Sequence, residues 1–174
     1  MSELCVGLFG TCGNSTWRNN IFIPKYLENK INFFNPQVAD WDPSLAEIEA
    51  HHLVNDRILC FPVTAETYGI GSLAETGFSI LQAIKFDDRR QILLLVDKIP
   101  DPVLNVDDSM KSLSKVSYKE SCRARALVIQ HIKKINLPNV RLVNTLKEML
   151  EWSIFLYNKE IEITDFELKF KNGQ

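Results

Sequence analysis

The sequence predicts an α/β protein whose parallel sheet is covered by helices on both faces. Three observations carry that expectation. Short apolar runs alternate with stretches of helical periodicity along most of the chain. The run from Gln91 to Val96 is nearly continuous in apolar residues, as in a strand buried on both faces. Two earlier runs stop at turn-forming residues, Gly10 and Asn35-Pro36.

Element by element, Leu4 to Phe9 reads as a buried strand ending at Gly10. Residues 14–30 read as a helix with Asn14, Ser15 or Thr16 as N-cap and Ile21, Ile23, Tyr26, Leu27 and Ile31 as its apolar face. Pro24 inside that pattern predicts a late start or a kink. Ile31 to Phe34 is a second strand. A polar loop follows, and Pro43 with Ser44 opens a helix running to about Asn55. Arg57 to Val63 is the third strand, and Ser72 to Phe86 a helix with Leu73, Phe78, Leu81 and Ile84 turned inward. After the fourth strand, Asp97 to Ser117 carries Pro100, Pro102, Asp107, Asp108 and several serines and reads as a long loop with room for a turn of helix. Lys119 to Ile135 is helical, Val140 to Val143 a short strand, and Thr145 to Tyr157 a helix capped by Thr145. Phe166, Leu168 and Phe170 alternate with charged residues, which predicts an edge strand or an arm lying on a neighbour. Five strands joined by right-handed crossovers predict a flavodoxin-like, Rossmann-type three-layer sandwich with strand order 2-1-3-4-5.

A chain of 174 residues fits one domain with one sizeable core. Its net charge of −2 gives no electrostatic footprint for polymeric nucleic acid or an anionic membrane, and no apolar run reaches membrane-spanning length. Cys5, Cys12, Cys60 and Cys122 follow neither metal-ligand nor redox spacing, so a reducing, cytoplasmic setting is expected. No basic segment precedes the first apolar run, and no secretory signal peptide is expected.

In an open α/β sheet the ligand crevice lies beyond the carboxyl ends of the strands. Four segments converge there. The turn Gly10-Thr11-Cys12-Gly13-Asn14-Ser15-Thr16-Trp17-Arg18 runs into a helix start, so its backbone N–H groups suit an anion or a sugar hydroxyl, and Arg18 suits a phosphate or carboxylate. The same residues also make an ordinary strand-to-helix turn. The loop Asn35-Pro36-Gln37-Val38-Ala39-Asp40-Trp41 offers Gln37 as donor and acceptor for a base edge and Trp41 as a flat face. The helix after it places Glu49 and His52 three residues apart, on one face. His51 and His52 are adjacent, diverge on a helix and lack metalloprotease spacing, so no metal is expected. The fourth segment, Gly69-Ile70-Gly71-Ser72-Leu73-Ala74-Glu75-Thr76-Gly77, puts an acid at a helix start, where it serves as catalyst or as dipole partner.

Taken together, the Ser-x-Trp-Arg turn, the Asn-Pro-Gln-x-x-Asp-Trp run, Glu47-Ile48-Glu49, Val63-Thr64 and Gly71-Ser72-Leu73-Ala74-Glu75-Thr76-Gly77 resemble the nucleoside 2-deoxyribosyltransferase family, in particular its nucleoside 2-deoxyribosyltransferase-like branch. The resemblance covers roughly the first half of the chain. It implies cleavage of the N-glycosidic bond of 2'-deoxynucleosides, with Glu75 as the nucleophile that forms a covalent deoxyribosyl-enzyme. The sugar then passes to another nucleobase or to water. It implies a second carboxyl for base protonation or sugar positioning, which maps to Glu49 with Glu47 as fallback; Asp40 is a further candidate. Gln37 corresponds to the base-reading glutamine. The substrate contacts so implied are Gly10, Thr11, Ser15, Trp17, Arg18, Asn35, Gln37, Trp41, Gly71 and Ser72, with no cofactor. The chemistry is coherent, since a carboxylate captures the oxocarbenium-like sugar and a second acid protonates the leaving base.

Transferases of the family often carry an aspartate six residues before the nucleophile, where this chain has Gly69. The related 2'-deoxynucleoside 5'-monophosphate N-glycosidases lack that acid and hold the phosphate with hydroxyls and donors, for which Ser15, Arg18 and Ser72 are the counterparts. Hydrolysis of a deoxynucleotide is therefore an alternative. The resemblance also implies a homo-oligomer whose neighbour closes the site, with the tail 161–170 as candidate contact. A nucleotide-binding module without catalysis, or a flavin-binding flavodoxin using the Thr/Ser-rich first loop, are the readings from other classes.

Overall fold

The computed structural model describes residues 4–13, 15–39, 42–86, 89–99 and 108–172, apart from the side chains of 86, 108–114 and 172. Five parallel strands form one sheet: β1 (Val6–Leu8), β2 (Phe33–Phe34), β3 (Ile58–Val63), β4 (Gln91–Val96) and β5 (Val140–Leu142), in the order β2-β1-β3-β4-β5. This is the flavodoxin-like arrangement expected from the sequence. Val6 lies opposite both Phe33 and Ile58, and Leu94 lies between Phe61 and Leu142.

Strand periodicity divides the core in two. Val6, Leu8, Ile58, Cys60, Leu93 and Leu95 face one side and pack with Trp17, Phe22, Tyr26, Met149 and Tyr157. Leu59, Phe61, Ile92 and Leu94 face the other and meet Phe9, Ile80, Ala83 and Ile132. The first layer is supplied by α1 (Ile23–Glu28) and α5 (Leu146–Asn172), and the second by α3 (Ile70–Phe86) and α4 (Asp108–Ile135). Helix α2 (Leu45–Asn55) adds no fully buried residue to either. Its anchors are at its end: the His52 ring stacks on Phe34 with centroids 3.8 Å apart, and His52 Nδ1 sits 2.9 Å from the buried Asp56 carboxylate.

Several expected elements take a different form. The helix expected over 14–30 begins as a π-helical turn, Arg18–Phe22, and becomes α-helical only at Ile23. Pro24 falls in the first α turn, where its missing N–H matters least. Helix α3 buries Leu73, Thr76, Ser79, Ile80 and Ala83, whereas Phe78, Leu81 and Ile84 point outward. Small residues let α3 lie close to the sheet and leave its large apolar residues uncovered. Thr76 satisfies its buried hydroxyl by donating to Leu73 O at 2.7 Å.

The loop expected over 97–117 is helical from Asp108, so α4 is longer than its Ser- and Asp-rich start suggests; residues 100–107 lie outside the described set. The tail is not an edge strand. It continues α5 without a break to Asn172. Thr145 and Glu148 form a reciprocal cap at its start: Glu148 N donates to Thr145 Oγ1 at 3.0 Å, and Asn144 N donates to Glu148 Oε2 at 2.8 Å. At its middle the buried Glu160 lies between Arg57 and Arg89, at 3.8 and 3.7 Å. Among the described residues no helix is long and apolar enough to cross a membrane.

Candidate active site

Beyond the carboxyl ends of β1 and β3 lies a cleft of about 480 Å³. Its lining comes from residues 9–13 after β1, residues 36–39 after β2, Glu49 on α2, and Thr67, residues 69–72 and Glu75 around the start of α3. All four segments singled out in the sequence therefore reach one place.

The floor is backbone laid on backbone. Gly10 has φ +100°, and a Cβ there would stand 2.7 Å from Pro62 O, so this position requires glycine. Thr11 N donates to Pro62 O at 3.0 Å, and Thr64 N donates to Thr11 Oγ1 at 2.9 Å. These bonds join the first loop to the end of β3. Thr11 contributes to the lining, but its hydroxyl oxygen already accepts this bond.

Trp17 and Arg18, expected as substrate contacts, are corrected by the geometry: neither lines the cleft. The loop's carbonyls turn inward at this point and need donors. The fully buried Arg18 supplies them, with Nε to Leu8 O at 2.9 Å, Nη1 to Thr11 O at 2.6 Å and Nη2 to Gly10 O at 3.2 Å. Trp17 Nε1 donates to Thr11 O at 3.0 Å, while its ring packs edge-on against Phe22 in the core. Arg18 thus acts on the cleft through its charge and not by contact. Ser15 is likewise buried behind the loop, and its Oγ has no partner among the described residues.

Gln37 does reach the cleft. Its Nε2 donates to Gly13 O at 2.8 Å and to Ser15 O at 3.3 Å, and its backbone N–H donates to Asn35 Oδ1 at 3.0 Å. The side chain staples the second loop to the first, which leaves Oε1 as its unpartnered atom. Beside it, Gly13, Asn19, Asn35 and residues 37–39 line an adjoining recess of about 440 Å³. Gly71 and Ser72 line the main cleft at the first turn of α3, as expected. Asp40 and Trp41 lie outside the described residues.

The two acids come from different helices. Glu49 lines the cleft, whereas Glu47 is exposed and is not part of its lining. Burial pushes the Glu75 carboxyl up from 4.5 to about 7; the Glu49 charge pushes in the same direction and Arg18 opposes both. Glu75 therefore changes charge near neutrality. Cys12, Thr67 and Ile70 also line the cleft and were not singled out as contacts. Cys12 and Ile70 stood inside expected segments, but Thr67 carried no local signal.

At the opposite, amino end of the strands, Cys5, His52 and Asp56 bring potential metal-ligand atoms within 4.8 Å of one another. They already contact each other, with Cys5 Sγ 4.0 Å from His52 Nδ1 and that nitrogen 2.9 Å from Asp56. The cluster ties the end of α2 to the start of β1.

No family model matches the chain, and no curated protein matches it.

Proposed function

We propose that this protein cleaves the N-glycosidic bond of 2'-deoxynucleosides and transfers the sugar to another nucleobase. The observation that carries this reading is the pairing of Glu75 and Glu49 in one cleft. N-glycosidic cleavage needs one carboxylate to meet the sugar and one proton for the base.

In the proposed reaction a Glu75 carboxylate oxygen bonds to the anomeric carbon as the bond from that carbon to the base nitrogen breaks. The bonding pair leaves with the base, which takes a proton from the Glu49 carboxyl. An acceptor base then attacks the anomeric carbon, the sugar–Glu75 bond breaks, and the acceptor's proton returns to Glu49. Water in place of the acceptor gives hydrolysis. A cleft of about 480 Å³ is of the size that holds a small ligand.

Among the described lining residues there is no lysine or arginine. That favours an uncharged nucleoside over a monophosphate, because Arg18 is committed to backbone carbonyls. The monophosphate reading keeps one support, the start of α3 at residues 70–72, whose N–H groups suit an anion.

The exposed apolar stripe of α3 suits assembly with a second copy, and Ile70 carries that stripe to the rim of the cleft. Near the end of α5, Phe166 and Phe170 share a helix face and are exposed, a second apolar surface.

The test is incubation with each deoxynucleoside, and separately each monophosphate, plus a second free base, followed by chromatography of released and exchanged bases. Base exchange from nucleosides supports the transferase, and release from monophosphates alone supports the hydrolase. No turnover of any substrate leaves a binding module.

A further inference from the structure

Arg125, on the middle of α4, is one of the most heavily hydrogen-bonded side chains in the molecule and belongs to neither core. It is nearly fully buried. Its guanidinium reaches across to the carboxyl ends of β3 and β4. Nη1 donates to Val63 O at 2.7 Å and to Asp97 O at 2.9 Å, Nη2 donates to Thr64 O at 2.9 Å and to Thr67 O at 2.8 Å, and Nε lies 3.4 Å from Ser121 Oγ. Ser121, one turn earlier on the same helix, donates to Tyr68 O at 2.6 Å. One helix face thus holds the carbonyls of 64, 67 and 68, three of the six residues that connect β3 to the helix bearing Glu75.

That connection has no room to adjust. Gly69 has φ +64°, and a Cβ there would stand 2.6 Å from Val63 Cγ1 and 3.2 Å from Arg125 Nη2. Gly69 O accepts from Leu73 N at 2.9 Å and starts α3, while Thr67 Oγ1 accepts from Gly69 N at 3.1 Å. Thr67 and Gly69 are themselves cleft lining. Position 69 is therefore glycine because the Val63 side chain and the Arg125 guanidinium occupy the space a side chain would need.

We propose that Arg125 is a positioning residue: by gathering four carbonyls at the ends of β3 and β4 it fixes the first turn of α3, and with it the place of Glu75 relative to Glu49. Lysine cannot replace it, since a single ammonium lacks the planar fork that reaches acceptors on two strands and a loop. The catalytic part of this proposal rests on the function proposed above, and the bracing part does not.

The experiment compares Arg125→Lys and Arg125→Ala with the unmutated protein and with Tyr26→Phe. The control variant loses a buried 2.6 Å bond to Ser153 in the other layer. Two readouts are taken: hydrogen exchange of the amides of residues 64–75, and kcat and KM for deoxynucleoside cleavage. The expected result is faster exchange confined to that segment in both Arg125 variants. kcat is expected to fall on the order of 100-fold with KM little changed. Millimolar guanidinium, but not ammonium, is expected to restore activity and protection to Arg125→Ala. Tyr26→Phe is expected to melt earlier and keep both. Unchanged exchange at 64–75, or a kcat loss no greater than that of Tyr26→Phe, overturns the proposal. If the unmutated protein has no turnover, the function falls, and exchange with its guanidinium rescue decides the brace alone. If Arg125→Ala does not fold, Arg125→Lys supplies the comparison.

Discussion

Replacing Glu75 by glutamine is expected to stabilise the fold in alkaline solution while abolishing the proposed chemistry. In the folded protein Glu75 holds its proton up to about pH 7, against an ordinary 4.5. Between those values the folded state binds more protons than the unfolded chain, so stability falls as pH rises through that interval and stays at the lower level above it. At ~1.4 kcal/mol per pH unit the full displacement is about 3 kcal/mol. Glu75 opens on a solvent-filled cleft that screens part of this, leaving ~1–2 kcal/mol. Glutamine keeps the shape and removes the charge, so Glu75→Gln should melt ~3–6 °C higher at about pH 8.5 and show little difference at about pH 4.5. The assay is thermal unfolding of both proteins across that range, where other titrating groups largely cancel in the difference. A melting difference that does not vary with pH, or a glutamine variant less stable at about pH 8.5, would refute the burial argument.

Three further outcomes follow from the same geometry. Glu49→Gln should slow base release ~10²–10⁴-fold by removing the proposed proton donor, as read in a stopped assay. Gly10→Ala should destabilise the fold by more than ~2 kcal/mol in urea titration, since the new methyl meets Pro62 O in a left-handed backbone. Leu81→Glu on the exposed stripe of α3, where Leu81 is 66% exposed, should abolish the self-association proposed above, as read by light scattering against the unmutated protein, with little effect on monomer stability.

The strands were legible because burial on both faces leaves a continuous apolar run, as at Gln91–Val96. Three of the four cleft segments were legible because each follows a strand end, and the fourth, with Glu49, because it opens the next helix. Legibility failed where the deciding partner is distant or where apolar residues do not go inward. On α3 the search for a large apolar face selected Phe78, Leu81 and Ile84, whereas the buried side holds Thr76, Ser79 and Ala83, which only small side chains can occupy. In the tail, Phe166 and Phe170 satisfy both strand alternation and a helical turn, and their rings meet at 4.7 Å on the helix. Arg18 looked like an anion ligand because local sequence does not reveal three inward-turned carbonyls above it. Arg125 gave no signal at all, since its acceptors lie more than fifty residues earlier along the chain, Asp97 excepted.

The two acids of the cleft are held differently. Glu75 stands on a helix packed against the sheet, but Glu49 is delivered by α2, which has no fully buried residue and is anchored at its last turns. Because the Glu49 charge helps to raise Glu75, the proton affinity of Glu75 is set jointly by two helices. A substitution at the His52–Asp56 anchor therefore reaches the charge of an acid on the other helix.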